Sequence, residues 1–370
     1  CFLKKIMQYF FILGRNPLLS KAEIFSYLES NKIQYQELCF HENILIIDAD
    51  ITKINIQDFG GIIKLAKIQF RGKTSEFLKF LDSDEVIPED KFSYTLIGNT
   101  EFEDNLIQKF KQEKKKAMIR RGRRILSLQE GSEFSLTNAD FEIFIFNQDN
   151  KIYQGLVEQT YNYSAVKKRD MQKPIRRESL AISPRLAKIL INLSQVKKGQ
   201  LLLDPFCGIG GILLEAVVQG INVHGIDNDP EAVRQCQQNL NWVKRDYQTF
   251  ANSKIETLDA NNTPNLQVDA IVSESSLGEL VKQKIDKKQA KEFILKFESF
   301  IIPILKRLKQ IKKPGAKIAI TFPFIREEHT GITRICNLSG LNISKLGNIK
   351  FPIPEFREDQ YVSRDIVVLE

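Results

Sequence analysis

The stretch Leu201-Leu-Leu-Asp-Pro-Phe-Cys-Gly-Ile-Gly-Gly-Ile-Leu-Leu-Glu-Ala216 constrains this chain more than any other. Leu201 to Leu203 is an apolar run of strand length, and Asp204 ends it with a carboxylate. Gly208, Gly210 and Gly211 then let the backbone turn sharply and approach a ligand, because none carries a Cβ. From Ile212 the apolar residues recur at helical spacing, so a helix packs back on the strand. A dinucleotide does not suit this turn. The G-x-G-x-x-G fingerprint needs a third glycine for close helix packing, and Leu213 stands there. A P-loop is excluded because no Gly-Lys-Ser/Thr follows.

The 370 residues predict about two or three domains. With 42% hydrophobic and 27% charged residues the chain reads as globular, and no apolar run approaches the ~20 residues of a membrane span. The apolar start, Tyr9 to Leu13, is too short for a signal peptide and leads into Gly14-Arg15. Cys1, Cys39, Cys207, Cys236 and Cys336 are odd in number and scattered, which suits a reducing, cytoplasmic compartment. There is no C-x-x-C pair, and His41, His224 and His329 lie far apart, so no metal site is expected. The net charge of +8 suits a polyanionic partner. Met7 sits just before the first recognisable block, and residues 1–6 carry no functional reading.

Along the N-terminal region, Tyr9 to Leu13 reads as a strand and Gly14-Arg15-Asn16-Pro17 as a turn. Ser20 offers an N-cap with Glu23 as its capping-box partner, for a helix from about Lys21 to Leu28. Strands are predicted at 44–47, 94–97, 125–127 and 141–146, with an apolar stretch at 62–68 after Gly60-Gly61 and a helix around Leu106 and Phe110. A basic run follows that helix: Lys114, Lys115, Lys116, Arg120, Arg121, Arg123 and Arg124. Such a run is usually a solvated helix face. Here Arg121-Gly122-Arg123 breaks helical spacing and acids are scarce, which favours salt-dependent contact with phosphates. Residues 151–180 read as a polar connector, and Ser183-Pro184 starts a helix as cap and first residue.

Downstream, strands alternate with helices, which predicts a doubly wound α/β domain. Asn222 to Ile226 is its second strand, with Asp227 at the tip to accept hydrogen bonds from ribose hydroxyls. Asp229 reads as the cap of the next helix. Further strands are 255–258, 268–272 and 316–322. A long helix runs from about Lys288 to Lys309 and is stopped by Pro314-Gly315. An antiparallel pair at 346–352 and 365–369 closes the sheet.

The segment D-P-F-C-G-x-G resembles motif I of class I S-adenosylmethionine methyltransferases, above all the RNA methylases with an N-terminal THUMP domain. Ile209 and Gly211 stand where that group commonly has threonine. The opening Phe-Ile-Leu-Gly-Arg-Asn-Pro, the connector Arg169-Asp170-Met-Gln-Lys-Pro174, and Gln360-Tyr-Val-Ser-Arg-Asp-Ile366 are also similar to blocks of the tRNA guanosine-10 N2-methyltransferase family. The resemblance implies a Rossmann-like methyltransferase domain with a seven-stranded mixed sheet over 183–370. It implies a linker at 166–182 and an α+β region with a THUMP-like, RNA-binding domain over 7–165. S-adenosylmethionine would be held by Asp204, Phe206, Cys207, Gly208, Gly210, Gly211, Asp227 and Asp259, the last beside the adenine. The macromolecular partner would be tRNA and not a membrane, with the chain acting as a monomer or with an accessory protein.

The catalytic segment departs from the family. Amino-group methylases of this type carry D/N-P-P-Y, or T-E-P-Y-L-G, after the fourth strand. This chain has Ser273-Glu274-Ser275-Ser276-Leu277-Gly278, so serines replace the proline and the aromatic. Glu274 can still accept a hydrogen bond from a guanine amine. Loss of a stacking ring, worth ~1–3 kcal/mol, slows turnover ~10- to 100-fold or more. Phe322 or Phe324 is an alternative source of the ring, although core packing is the simpler role for both. Two readings follow: an active N2-guanosine tRNA methyltransferase, or a weakened or inactive homologue that binds tRNA. A DNA or protein-glutamine methylase is a third, and has less use for the basic N-terminal region.

Overall fold

The computed structural model describes residues 7–121, 139–177, 182–275, 285–356 and 361–370. Ser276, Arg123, Arg124 and the strand expected at 125–127 lie outside the described residues. The chain forms two compact units. The first comprises the described parts of 1–17, 32–57 and 62–161, and the second comprises 18–31, 58–61 and 162–370.

In chain order the N-terminal elements are β1 (Gln8–Leu13), α1 (Pro17–Ser30), β2 (Tyr35–His41), β3 (Ile44–Ala49), β4 (Ile62–Gly72), α2 (Thr74–Ser83) and β5 (Lys91–Gly98). They continue with α3 (Glu103–Gln112), β6 (Lys116–Ile119), β7 (Phe141–Gln148) and β8 (Lys151–Thr160). The strands make one eight-stranded sheet in the order β2-β3-β1-β4-β8-β7-β5-β6. Pairing is antiparallel except where β5 runs parallel to β6 and β7. Phe77 and Leu81 of α2 and Leu106 and Phe110 of α3 bury against Phe92, Tyr94, Ile143 and Ile145 of the sheet.

Two expectations fail in this region. Residues 151–160 are not connector but a central strand, paired to β4 and β7. Gly155 explains the weak signal: a Cβ there would lie 2.3 Å from the Lys67 carbonyl, where the β4–β8 register shifts. Helix α1 starts at Pro17, not Lys21, so Ser20 and Glu23 are interior rather than caps. Glu23 is fully buried and accepts the N–H groups of Gly60 (2.8 Å) and Gly61 (2.7 Å) and the Asn192 amide (2.7 Å), all within the second unit. Burial drives its carboxyl up to about 7.

The remaining elements are α4 (Tyr163–Gln172), α5 (Pro184–Leu193), β9 (Leu201–Asp204), α6 (Gly211–Val218), β10 (Asn222–Asp227), α7 (Pro230–Asp246), β11 (Ser253–Thr257) and β12 (Val268–Glu274). After these come α8 (Lys287–Ile311), β13 (Lys312–Ile325), β14 (Glu328–His329), α9 (Ile332–Ser339), β15 (Ile353–Glu355) and β16 (Ser363–Leu369). The sheet order is β11-β10-β9-β12-β13-β16-β15, with β14 paired to β13. The first five strands are parallel, and β16 and β15 close the sheet antiparallel. This α/β doubly wound arrangement brings the carboxyl ends of β9, β10 and β12 to one edge, where such sheets bind ligands. Ser183 caps α5 as expected, accepting from Leu186 N–H at 3.2 Å with Pro184 in the first turn.

Pro314-Gly315 does not stop α8, which ends at Ile311. The pair sits instead in a bulge, since Val268 aligns with Lys312 but Ala270 with Lys317. The closing strand falls at 353–355 rather than 346–352.

Candidate active site

The glycine turn is held at both ends by backbone bonds. Cys207 N–H donates to the Ile226 carbonyl of β10 (2.9 Å) and Gly210 N–H to the Cys207 carbonyl (2.8 Å). Gly208 and Gly210 have φ of +49° and +92°, in the left-handed region that disfavours side chains. A Cβ at Gly210 would meet Cys236 Sγ at 2.8 Å, and one at Gly211 would meet Ile182 Cγ2 at 2.7 Å. A Cβ at Gly208 meets nothing within 4 Å. Gly210 and Gly211 therefore serve packing against α7 and residue 182, while Gly208 leaves open space over the turn. A side chain at position 211 would require Ile182 to shift.

Asp204 is buried at the end of β9, where its Oδ1 accepts Phe206 N–H (3.1 Å) and the Ser273 hydroxyl (2.5 Å). Burial pushes its carboxyl up to about 7. The two hydrogen bonds lower it, and the charges of Asp227 and Glu274 raise it further. Asp227 is half-buried at the tip of β10. Its Oδ2 accepts Gly208 N–H (2.8 Å) and its Oδ1 accepts Asp229 N–H (3.0 Å), which fixes the carboxylate against the turn. Asp229 caps α7 through Glu231 N–H (2.9 Å). Asp259 is exposed and accepts Asn261 N–H (2.7 Å), while Leu258 N–H donates to the Asp227 carbonyl (3.0 Å).

The side chains of Phe206 and Cys207 serve the core. Phe206 packs on Phe300 of α8, with ring centres 5.8 Å apart. Cys207 is buried beside Cys236, which with burial drives its thiol far upward, so it is no nucleophile.

Ser273, Glu274 and Ser275 each make a side-chain hydrogen bond within the fold. Ser273 bonds Asp204, and Ser275 Oγ donates to the Thr321 carbonyl of β13 at 2.5 Å. Glu274 Oε1 accepts Arg364 Nε at 2.5 Å. Phe322 and Phe324 are buried, Phe322 against Phe297 and Phe324 beneath His329 with ring centres 4.5 Å apart. Neither is free to stack on a base, so the substitute ring suggested by the sequence is not there.

Sequence reasoning assigned no role to two residues here. Arg364 belongs to the Gln360–Ile366 block, which was the available signal. Asn239, buried on α7, donates to the carbonyls of Ile209 (3.0 Å) and Ile175 (3.2 Å) and so holds the turn to the segment that precedes α5. No sequence signal distinguished Asn239 from an ordinary helix residue.

In the first unit the basic run divides. Lys115 is buried and pairs with Glu85 (2.8 Å) and the Ile87 carbonyl, which removes it from the phosphate-contact set. Lys114, Lys116, Arg120 and Arg121 are exposed, and Arg121 bonds Glu103 (2.6 Å). On β6, the sheet edge, exposed Lys116 and Met118 alternate with half-buried Ala117 and Ile119, and exposed Arg120 follows the strand.

The fold and this turn define a class I methyltransferase-type domain in the second unit. In agreement, residues 174–299 match the family model described as RMKL-like, methyltransferase domain. A tRNA (guanine(10)-N2)-dimethyltransferase of Methanothermobacter thermautotrophicus is 50% identical over 60 residues, 16% of this chain and 18% of that protein. The tRNA (guanine(10)-N2)-dimethyltransferase of Methanocaldococcus jannaschii is 29% identical over 165 residues, 42% of this chain and 45% of that one. The matches thus span less than half the length of these curated relatives. The crystal structure of TrmN from Thermus thermophilus shares the fold across 98% of this chain and 99% of that one, with a TM-score of 0.52 and 14% identity.

Proposed function

We propose that this protein methylates the exocyclic N2 amine of a guanosine in tRNA, at position 10, using S-adenosylmethionine. One observation carries the reading. The Ser273–Asp204 bond joins the strand that presents Glu274 to the turn that holds the cofactor. The residues fit that cofactor: Gly208 leaves space over the turn, and Asp227 retains lone pairs for ribose hydroxyls beyond its two backbone bonds. Asp259 stands at the next strand end for the adenine amine, and Asp204 in its ionised form attracts the ammonium of the methionine end.

When bound, S-adenosylmethionine supplies a methyl group on a sulfonium that leaves as a neutral thioether. Glu274 accepts an N–H of the guanine amine and aims the nitrogen lone pair along the line of transfer, so positioning carries most of the rate. It also stabilises the amine as it becomes cationic and receives the proton it loses. Lys114, Lys116 and Arg120 supply sequence-independent phosphate contacts. The THUMP-like character of the first unit and a domain boundary at 165/183 belong to the same reading.

The second reading, a weakened homologue, is favoured by the internal bonds of Ser273, Glu274 and Ser275. Incubation with methyl-labelled S-adenosylmethionine and undermodified tRNA, followed by nucleoside digestion, separates the two. N2-methylguanosine supports the first; label retained on the cofactor despite binding supports the second. Label in DNA or protein overturns both.

A further inference from the structure

Arg364 is buried on β16, with a side chain 4% exposed, and its Nε lies 2.5 Å from Oε1 of Glu274, 14% exposed. The partners are 90 residues apart in sequence yet ride on one continuous stretch of sheet, β12 beside β13 beside β16. Arg364 aligns with Pro323 on one side and Glu355 on the other, so strands on both sides fix its backbone. Glu274 aligns with Thr321, and its neighbours Ser273 and Ser275 are tied to Asp204 and the Thr321 carbonyl. Among the described residues, Oε2 of Glu274 has no hydrogen-bond partner. Both ends of this pair are therefore braced by neighbouring strands, and one carboxylate oxygen is left over.

We propose that Arg364 is a positioning residue: it holds Glu274 as an acceptor-only carboxylate at the tip of β12, and this sets a preference for guanine over adenine. The inference rests on the reading of Glu274 as the group that meets the target base. A carboxylate paired with a guanidinium accepts hydrogen bonds and donates none. Guanine presents two adjacent donors, N1–H and the N2 amine. Adenine sets an acceptor, N1, next to its amine, and that lone pair faces the carboxylate unfavourably. The fixed carboxylate so rejects a base that lacks the second donor, which is the strong form of discrimination available to a polar site. Arginine suits the role better than lysine, because its Nε–H donates in the fixed plane of the guanidinium, whereas an ammonium on a flexible stem rotates.

The test combines Arg364→Lys, Arg364→Met, Glu274→Gln and the double variant Arg364→Met/Glu274→Gln. Single-turnover methylation of undermodified tRNA is measured beside S-adenosylmethionine affinity and thermal melting. The expected result is a loss of about 30-fold or more in kcat for Arg364→Met, with cofactor affinity within about threefold and partial recovery in Arg364→Lys. In the double variant, the second change adds under about threefold, because both act through one carboxylate. Replacing the methylated guanosine by 2,6-diaminopurine keeps the 2-amino group and turns N1 into an acceptor. The wild-type chain is expected to reject it, and Glu274→Gln to narrow the gap. An Arg364→Met variant that retains wild-type kcat, additive losses in the double variant, or equal use of diaminopurine would each overturn the assignment while leaving the functional reading intact. A wild-type chain that methylates no guanosine would remove the functional reading, and this assignment with it.

Discussion

The glycine turn and the tip of β12 lie at the same edge of one sheet, but they treat their polar groups in opposite ways. The turn keeps room: Gly208 has open space over it, and Asp227 is only half-buried. The tip of β12 ties its side chains inward, through Ser273 to Asp204, Glu274 Oε1 to Arg364 and Ser275 to Thr321. The glycine turn thus leaves space for a ligand, while the segment at the tip of β12, with serine in place of the proline of the resembling motif, forms a hydrogen-bonded brace. The difference separates holding a cofactor from using it, and variants at each place can break that separation.

Glu274→Gln is the largest expected effect. It keeps the shape, weakens the acceptor and removes the negative charge that faces Arg364, so methyl transfer falls about 100-fold or more while cofactor affinity changes little. Equal loss of both would show that the two regions are not separable. Next comes Gly210→Ala, which puts a side chain at φ +92° and 2.8 Å from Cys236 Sγ. It costs about 1–3 kcal/mol of stability in thermal or denaturant unfolding. Combination with Cys236→Ala relieves the contact but not the backbone strain, so recovery is partial.

Ser273→Ala removes a bond that lowers the carboxyl of Asp204, whose value of about 7 then rises. In the parent chain cofactor affinity should strengthen as pH rises through about 7, because ionised Asp204 attracts the methionine ammonium. The variant should need a higher pH for the same affinity, and Asp204→Asn should flatten the profile. The sign for stability is opposite. A folded-state value raised above 3.8 means the native state binds the extra proton, so Asp204's contribution to stability is present at low pH and is lost as pH rises through about 7. The smallest effects belong to the first unit. Alanine at exposed Lys116 or Arg120 lowers tRNA affinity a few-fold and reduces its salt slope by about one each, with melting unchanged. Lys115→Ala instead lowers the melting temperature, because it strips partners from Glu85 and the Ile87 carbonyl.

Much of the second unit was legible because its signals are local. The strand–glycine–helix corner, the Asp227 tip and the Ser183-Pro184 cap each depend on residues within a few positions of one another. What escaped depends on residues far apart. Glu23 looked like a capping-box partner but receives Gly60 and Gly61. The strand β8 was hidden by Gly155, whose missing side chain makes sense only beside the Lys67 carbonyl. Ser275 stands where the resembling motif has proline, and only its partner on β13 reveals a bond in that place. The run at 114–124 read as uniform charge, whereas Lys115 is turned inward and its neighbours are not.

The most direct test of the separation between holding and using the cofactor is a single-turnover experiment on the wild-type chain. Protein saturated with methyl-labelled S-adenosylmethionine, its occupancy measured by titration, is mixed with excess undermodified tRNA and quenched over time. The account predicts one cofactor bound per chain and transfer of its label to guanosine N2. Full occupancy with no label reaching the tRNA would contradict it and leave the brace at the tip of β12 as the mark of a chain that binds without methylating.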